Sequence, residues 1–239
     1  MRKVGTLVAA VLLAAAAGAG EGVSWKRSDE IPFVPLTEDA SAASAEYDDV
    51  CENYSVSWMS VLPGSEIDFI EATFYGWGLH CSRLKKAVAD GKVKESELPA
   101  EAEKAKSVFR NFLIFYVTIS ARERADADLA DPDRWTVYLE REGTQLAPAV
   151  IDVDKNAPRK VMVRELHDAV IPEKYAGKTK FTAEELRDIR VLDSQDIVWC
   201  RKTFKIAFVN PYREPPRENL RLVITGEKAQ HGFEWRFKE

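Results

Sequence analysis

The chain has 239 residues, 46% of them hydrophobic, and a formal net charge of −5. That length is enough to bury a sizeable core as one domain. Its 34 Lys and Arg residues are interspersed with 39 Asp and Glu residues. The absence of a basic stripe or tail argues against nucleic acid and against a polybasic membrane anchor.

The first residues have the pattern of a removable export signal. Arg2 and Lys3 precede an apolar stretch over 4–17, which is shorter than the roughly 18 to 20 residues that cross a bilayer. Small residues at 17–19 (AGA) match the requirement of a signal peptidase. We therefore predict a signal peptide over 1–19, with an uncleaved anchor or a core helix as the alternatives. Its removal would lower the net charge by two, from −5 to −7.

The remaining chain predicts a protein that is periplasmic or extracellular, with no stable membrane span after signal removal. Charged residues interrupt every later hydrophobic run. The first cysteine is Cys51, so no cysteine follows the apolar stretch to carry the lipid of a bacterial lipoprotein.

Residues 20–46 predict a linker or irregular lead-in, because prolines, serines and charges occur there without a sustained period. Ile31, Phe33, Val34 and Leu36 could add a short edge strand to it.

Residues 47–111 predict a mainly helical segment. Ser65 can cap a first helix that runs to Tyr75. A second apolar stripe ends at Asp90-Gly91, which is a helix-stop signal. Pro99 suits the first turn of a third helix.

From Phe112 the hydrophobic period changes to two, which is typical of half-buried strands. The alternating runs are FLIFYVTISA, RWTVYLERE, TFKIAFVNP, LRLVI and FEWRF. They predict a β-sandwich over 112–239 with a long insert at about 150–196. The fold class predicted is therefore α+β, with an N-terminal helical segment followed by an antiparallel immunoglobulin-like β-sandwich.

The insert is charged and contains Pro158 and Pro172. Thr182 and Glu185 form a capping box that predicts a short helix. An insertion of this length is either a functional loop or surface decoration.

The strand pattern of the C-terminal half resembles an uncharacterised family of bacterial exported or lipoprotein-like β-sandwich domains. The shared features are the strand FLIFYVTI, the Trp-led strand WTVYLEREG, the turn LAP, the strand FKIAFVNP and the closing LRLVITG…FEWRF. The resemblance implies an extracytoplasmic sandwich of unknown activity and assigns no functional residue. The missing lipid-attachment cysteine departs from it.

No catalytic signature is found. The G-x-S-x-G and H-E-x-x-H motifs are absent, and His80, His167 and His231 are far apart in sequence. Residues 152–156 imitate the start of a calcium loop, but the required glycine and the final glutamate are missing. We predict no catalytic residue, no metal site and no cofactor.

The cysteines are Cys51, Cys81 and Cys200. In an oxidising compartment one pair could be bridged, and Cys51–Cys81 is the nearer pair in sequence. The absence of a disulfide and another pairing remain open alternatives. Cys200 lies in an apolar run, which predicts a small buried side chain.

Two functions are compatible with these patterns. The first is a non-enzymatic binding or scaffold protein of the cell envelope, whose partner is an unknown envelope protein or glycan. The alternative is a secreted hydrolase or carbohydrate-active protein that uses the 150–196 insert as an active-site lip. Converging histidine and carboxylate groups in a pocket would favour the enzyme.

Overall fold

Eleven strands and three helices are present in the computed structural model, which describes residues 24–59, 69–122, 127–155, 160–170, 172–175, 188–227 and 230–238. The helices are α1 (Tyr47–Asn53), α2 (Trp77–Ala89) and α3 (Leu98–Asn111). The strands are β1 (Ser24–Pro32), β2 (Ser55–Met59), β3 (Phe69–Phe74), β4 (Phe112–Ala121), β5 (Thr136–Arg141), β6 (Thr144–Leu146), β7 (Val150–Val153), β8 (Lys160–Val170), β9 (Arg190–Val209), β10 (Leu220–Thr225) and β11 (Gln230–Lys238).

The strands form two sheets, and both are mainly antiparallel. The first sheet has the order β1-β11-β10-β5-β6, and only β1 and β11 run parallel in it. The second sheet has the order β2-β3-β4-β9-β7, and β8 also pairs with β9. The α+β content predicted from the sequence is confirmed.

The edge strand of the lead-in lies earlier in the chain than the sequence predicts, because Phe33, Val34 and Leu36 fall outside it. β1 already begins at Ser24 and ends at Pro32, and its partner is the last strand of the chain. The rest of the lead-in contains a 3-10 turn at Ala40–Ala42, which Asp39 caps by accepting a hydrogen bond from the Ser41 amide at 2.9 Å. From Ser24 onward, the lead-in is therefore part of the folded structure.

The first predicted helix of the 47–111 segment is wrong over 69–74, and its predicted cap, Ser65, lies outside the described residues. Residues 69–74 form β3, in which Ile70, Ala72 and Phe74 are buried and alternate with half-buried residues. Pairing with β2 on one side and β4 on the other satisfies its backbone. Because strand partners lie far along the chain, a local helix-like spacing could not reveal them.

The other two predicted helices are confirmed as α2 and α3. α2 ends at the Asp90-Gly91 stop, where Gly91 adopts a positive φ of 70° and Lys92 donates its amide to the Ala87 carbonyl at 2.8 Å. α3 has Pro99 in its first turn, as the sequence indicates.

Aromatic side chains from the two sheets meet in one core. Trp235 of β11 lies with its ring centroid 5.0 Å from that of Phe115 on β4 and 6.5 Å from that of Phe74 on β3. Phe237 contacts Phe74 at 5.8 Å. These contacts join the first sheet to the second within the buried core.

The part of the 150–196 insert that the structure describes consists largely of strands. β7 and β8 follow one another along the same partner, β9, which is 20 residues long. β4 stops pairing with β9 at Cys200, whereas β8 pairs with the preceding residues back to Arg190. β8 and the first half of β9 therefore form a two-stranded ribbon beyond the end of β4. The predicted Thr182 helix lies outside the described residues.

Candidate functional site

A cavity of about 380 Å³ lies where β1, the lead-in and two helices converge. This volume is within the range of small-ligand pockets in proteins. Its lining residues are Glu30, Pro32, Val34, Glu38, Ala42, Ala43, Ser44, Val50, Asn53, Tyr54, Gly78, Cys81 and Ser82. Apolar walls with a few polar groups are the usual composition of a binding site.

Gly78 allows α2 to approach the wall of the cavity. A Cβ at this position would lie 2.7 Å from the Tyr54 hydroxyl oxygen and 2.8 Å from a Val34 methyl carbon. Those distances are shorter than carbon atoms tolerate in a packed interior. The Gly76-Trp77-Gly78 sequence thus serves close packing, because a Cβ at Gly76 would also meet the Phe74 ring at 2.6 Å.

The thiol and the phenol that line the cavity are protonated at neutral pH. Burial raises the pKa of Cys81 to about 12, and the charge of Glu38 adds to that effect. Burial likewise raises the pKa of Tyr54 to about 12. Since the thiolate is the nucleophilic form of cysteine, Cys81 is a poor nucleophile here.

Two carboxylates give the cavity a negative rim. Glu30 lies 4.0 Å from the Lys238 ammonium, and more than half of its side chain is exposed. Glu38 is exposed and forms no ion pair with any residue that the structure describes. The rim therefore presents acceptor oxygens to a ligand that enters the cavity.

His80 lies in an aromatic environment beside the cavity and does not line it. The Tyr75 hydroxyl is 3.0 Å from His80 Nδ1, and Arg83 donates to the same hydroxyl at 3.2 Å. The Phe109 ring centroid is 4.9 Å from that of the imidazole. Burial, assisted by the charge of Arg83, lowers the pKa of His80 to about 4, so the ring is neutral.

His231 is a buried side chain of the core. It is 2% exposed, and its strand partner is the fully buried Ile224. Burial lowers the pKa of His231 to about 4. His167 belongs to β8, and its side chain lies outside the described residues. Neither His80 nor His231 lines the cavity, so the structure does not bring these two histidines to the rim carboxylates.

The predicted pair Cys51 and Cys81 lies on neighbouring helices, α1 and α2. All three cysteines carry free thiols in the structure. Cys51 is half-buried and burial raises its pKa, while Cys81 is fully buried. The Cys51–Cys81 disulfide stays a prediction. Cys200 is more exposed than the apolar run around it indicates.

The described residues contain no group of three or more His, Cys, Asp or Glu side chains placed to hold a metal ion. Within the same part of the chain, no helix is long and apolar enough to cross a membrane. Comparisons with protein-family models, with curated proteins and with solved structures find no match to this chain.

Sequence reasoning missed the cavity because its walls come from four separated segments. β1, the 3-10 turn, α1 and α2 each contribute only a few lining residues. The paired glycines at 76–78 were the one local signal, since glycine permits close approach of neighbouring groups.

Proposed function

We propose that this chain is a non-enzymatic binding protein of the cell envelope, exported by its N-terminal signal, and that the cavity holds part of its partner. The observation that carries the proposal is the chemistry of the lining. Apolar walls and exposed carboxylates suit recognition, whereas the Cys81 thiol and the Tyr54 hydroxyl are held in their protonated forms.

The proposed protein folds as an immunoglobulin-like β-sandwich that resembles exported β-sandwich domains of bacteria. The contacts of Trp235 and Phe237 with side chains of the other sheet support face-to-face packing of the two sheets. The hydrolase alternative gains no support from the cavity, because none of its described lining residues comes from 150–196.

Export predicts a shortened mature protein. When the full chain is expressed in a bacterium with a periplasm, we expect the purified product to begin at Gly20 and to fractionate with periplasmic proteins. N-terminal sequencing and osmotic shock measure both properties. Recovery of a product that begins at Met1 in the cytoplasmic fraction would contradict the envelope location.

Binding in the cavity predicts a crosslink that depends on position. A photoreactive amino acid at Ala43, which lines the cavity, should form a defined adduct in intact cells, identifiable by mass spectrometry. The same group at Val209, which is 57% exposed on β9, is the control and should not form that adduct.

A blocking variant makes this test specific for the cavity. Ala42 is exposed and lines the cavity, so Ala42→Trp should fill the entrance without disturbing the core. We expect Ala42→Trp to abolish the adduct at Ala43 while the protein remains folded by circular dichroism. An unchanged adduct in the blocked variant would show that the partner contacts another surface.

A further inference from the structure

The outer face of the first sheet carries a row of alternating charges across four strands. Strand register places Arg27 of β1 opposite Glu234 of β11, which is opposite Arg221 of β10, which is opposite Glu140 of β5. Side chains of such cross-strand partners lie on the same face of a sheet. The buried neighbours Phe233 and Trp235 point to the other face, into the core.

Glu234 holds two arginines in fixed positions. Arg27 donates its Nε to one carboxylate oxygen at 2.7 Å, and Arg221 donates its Nε to the other at 2.9 Å. The Glu234 side chain is only 5% exposed, whereas those of Arg27 and Arg221 are 60% and 45% exposed. Burial alone would raise the pKa of Glu234, but the hydrogen bonds from Arg221 and Arg27 outweigh it and keep that pKa below its usual value.

Each guanidinium therefore uses Nε for the carboxylate and keeps its two terminal nitrogens available. No described residue accepts a hydrogen bond from the Nη groups of Arg27 or Arg221. One buried carboxylate thus holds two adjacent guanidinium groups in place. Their remaining N–H donors can bind a ligand without first moving the arginine side chains. A planar guanidinium binds carboxylate oxygens in a bidentate manner.

An aromatic side chain adjoins this arginine pair. The Arg221 guanidinium carbon lies 5.3 Å from the centroid of the Trp25 ring. Trp25 is half-buried, and its strand partner is Gly232, which has no side chain. The part of the indole that remains exposed can pack against the apolar face of a ring that is bound next to the arginines.

We propose that Arg27, Arg221 and Trp25 form a binding site for a carboxylate-bearing glycan, with a uronic-acid carboxylate between the arginines and its sugar ring against Trp25. This site is on the outer face of the first sheet and is separate from the cavity. It is consistent with the proposed envelope function but does not depend on it.

The charge of the row favours a single carboxylate over a polyanion. Arg27 and Arg221 are balanced by Glu234 and Glu140, so the four residues have no net charge. A recess beside Arg221 is also lined by Glu142 and Glu218. Long-range attraction of nucleic acid or polyphosphate is therefore weak, and recognition depends on directed hydrogen bonds.

Calorimetry with an otherwise neutral oligosaccharide that carries a single galacturonic-acid residue tests the site. We expect binding by the purified full chain, and we expect Arg27→Gln and Arg221→Gln each to weaken it about tenfold or more. Arg221→Lys keeps the charge but loses the planar fork and should weaken binding similarly. Arg236→Gln is the matched control, because Arg236 on the same strand as Glu234 donates to the Ser28 carbonyl at 3.1 Å.

Two further ligands separate the proposal from simpler explanations. The methyl ester of the same oligosaccharide lacks the carboxylate charge and should bind at least about tenfold more weakly. Inorganic polyphosphate should bind more weakly than the uronate oligosaccharide. Equal binding of the ester, tighter binding of polyphosphate, an equal loss in Arg236→Gln, or no binding of the uronate would each overturn the proposal. Thermal melts establish that every variant is folded, and they make each of these results interpretable.

Discussion

Replacing Trp235 by alanine is expected to destabilise the protein by about 4 kcal/mol, the typical cost of removing a large aromatic side chain from a core. The Trp235 side chain is fully buried, and it contacts Phe115 and Phe74 of the opposite sheet. Its indole Nε1 donates to the Tyr54 carbonyl at 2.8 Å. The substitution removes packing between the sheets and removes one of the two donors to that carbonyl, which also accepts from the Phe74 amide at 3.0 Å. Urea unfolding, followed by far-ultraviolet circular dichroism rather than by tryptophan fluorescence, measures the loss of stability.

Two other substitutions identify the source of this effect. Trp235→Phe keeps an aromatic ring but loses the hydrogen bond to Tyr54, so we expect a smaller loss of about 2 kcal/mol. Trp25→Ala removes an indole from the outer face of the same sheet, where the ring is half-buried. We expect it to cost about 1 kcal/mol. A loss for Trp235→Ala no larger than that for Trp25→Ala would contradict the central role of Trp235 in the core.

Mild acid is expected to destabilise the protein through two neutral histidines, the half-buried His80 and the buried His231. Burial lowers the pKa of His80 and of His231 from 6.5 to about 4. In the unfolded chain both imidazoles regain an ordinary pKa near 6.5. Between these values the unfolded state binds more protons than the folded state, so the free energy of unfolding falls as the pH falls.

The size of the effect follows from the difference in pKa. Well above pH 6.5 both histidines are neutral in both states and the stability is fully present. At pH 5 each histidine is expected to lower the free energy of unfolding by about 2 kcal/mol, and the loss is complete below pH 4. Urea unfolding at pH 7 and pH 5 measures the difference while most carboxylates stay ionised.

Glutamine variants assign the effect to each residue. His231→Gln and His80→Gln cannot gain a proton, so each should reduce the difference in stability between pH 7 and pH 5 by about 2 kcal/mol. The comparison is made within each variant, so a general destabilisation by the substitution does not affect it. A pH difference equal to that of the unmodified chain in both variants would exclude the histidines as its cause.

Strand periodicity was the most informative pattern in the sequence. The runs that contain Phe115, Leu139, Phe208, Leu222 and Trp235 form strands in the structure, and all five of these residues are buried. α2 and α3 were also predictable, because the Asp90-Gly91 stop and Pro99 are local signals that need no distant partner.

The sequence predictions were wrong where strand formation depends on pairing with another segment of the chain. Ile70 and Phe74 fit a helical spacing, yet β2 and β4 pair with their segment and make it a strand. β7, β8 and the first half of β9 lie in the range interpreted as an insert, and they form strands because they pair with one another or with the rest of β9. In both cases the deciding hydrogen bonds join residues that are far apart in sequence, and propensity does not report them.

The candidate sites also depended on folding. Glu38, Tyr54 and Cys81 meet at the cavity only because the lead-in packs against α1 and α2. Arg27 and Glu234 are 207 positions apart, and parallel pairing of the first and last strands brings them together.

The sequence by itself determined which segments alternate, where α2 and α3 end, and which of the strand residues are apolar, because these properties depend on neighbours within a few positions. Tertiary structure alone decided which strands pair, which polar groups meet and which titratable groups lose water. Burial and charge pairing depend on groups brought together from the whole chain, and spacing along the sequence does not specify that arrangement.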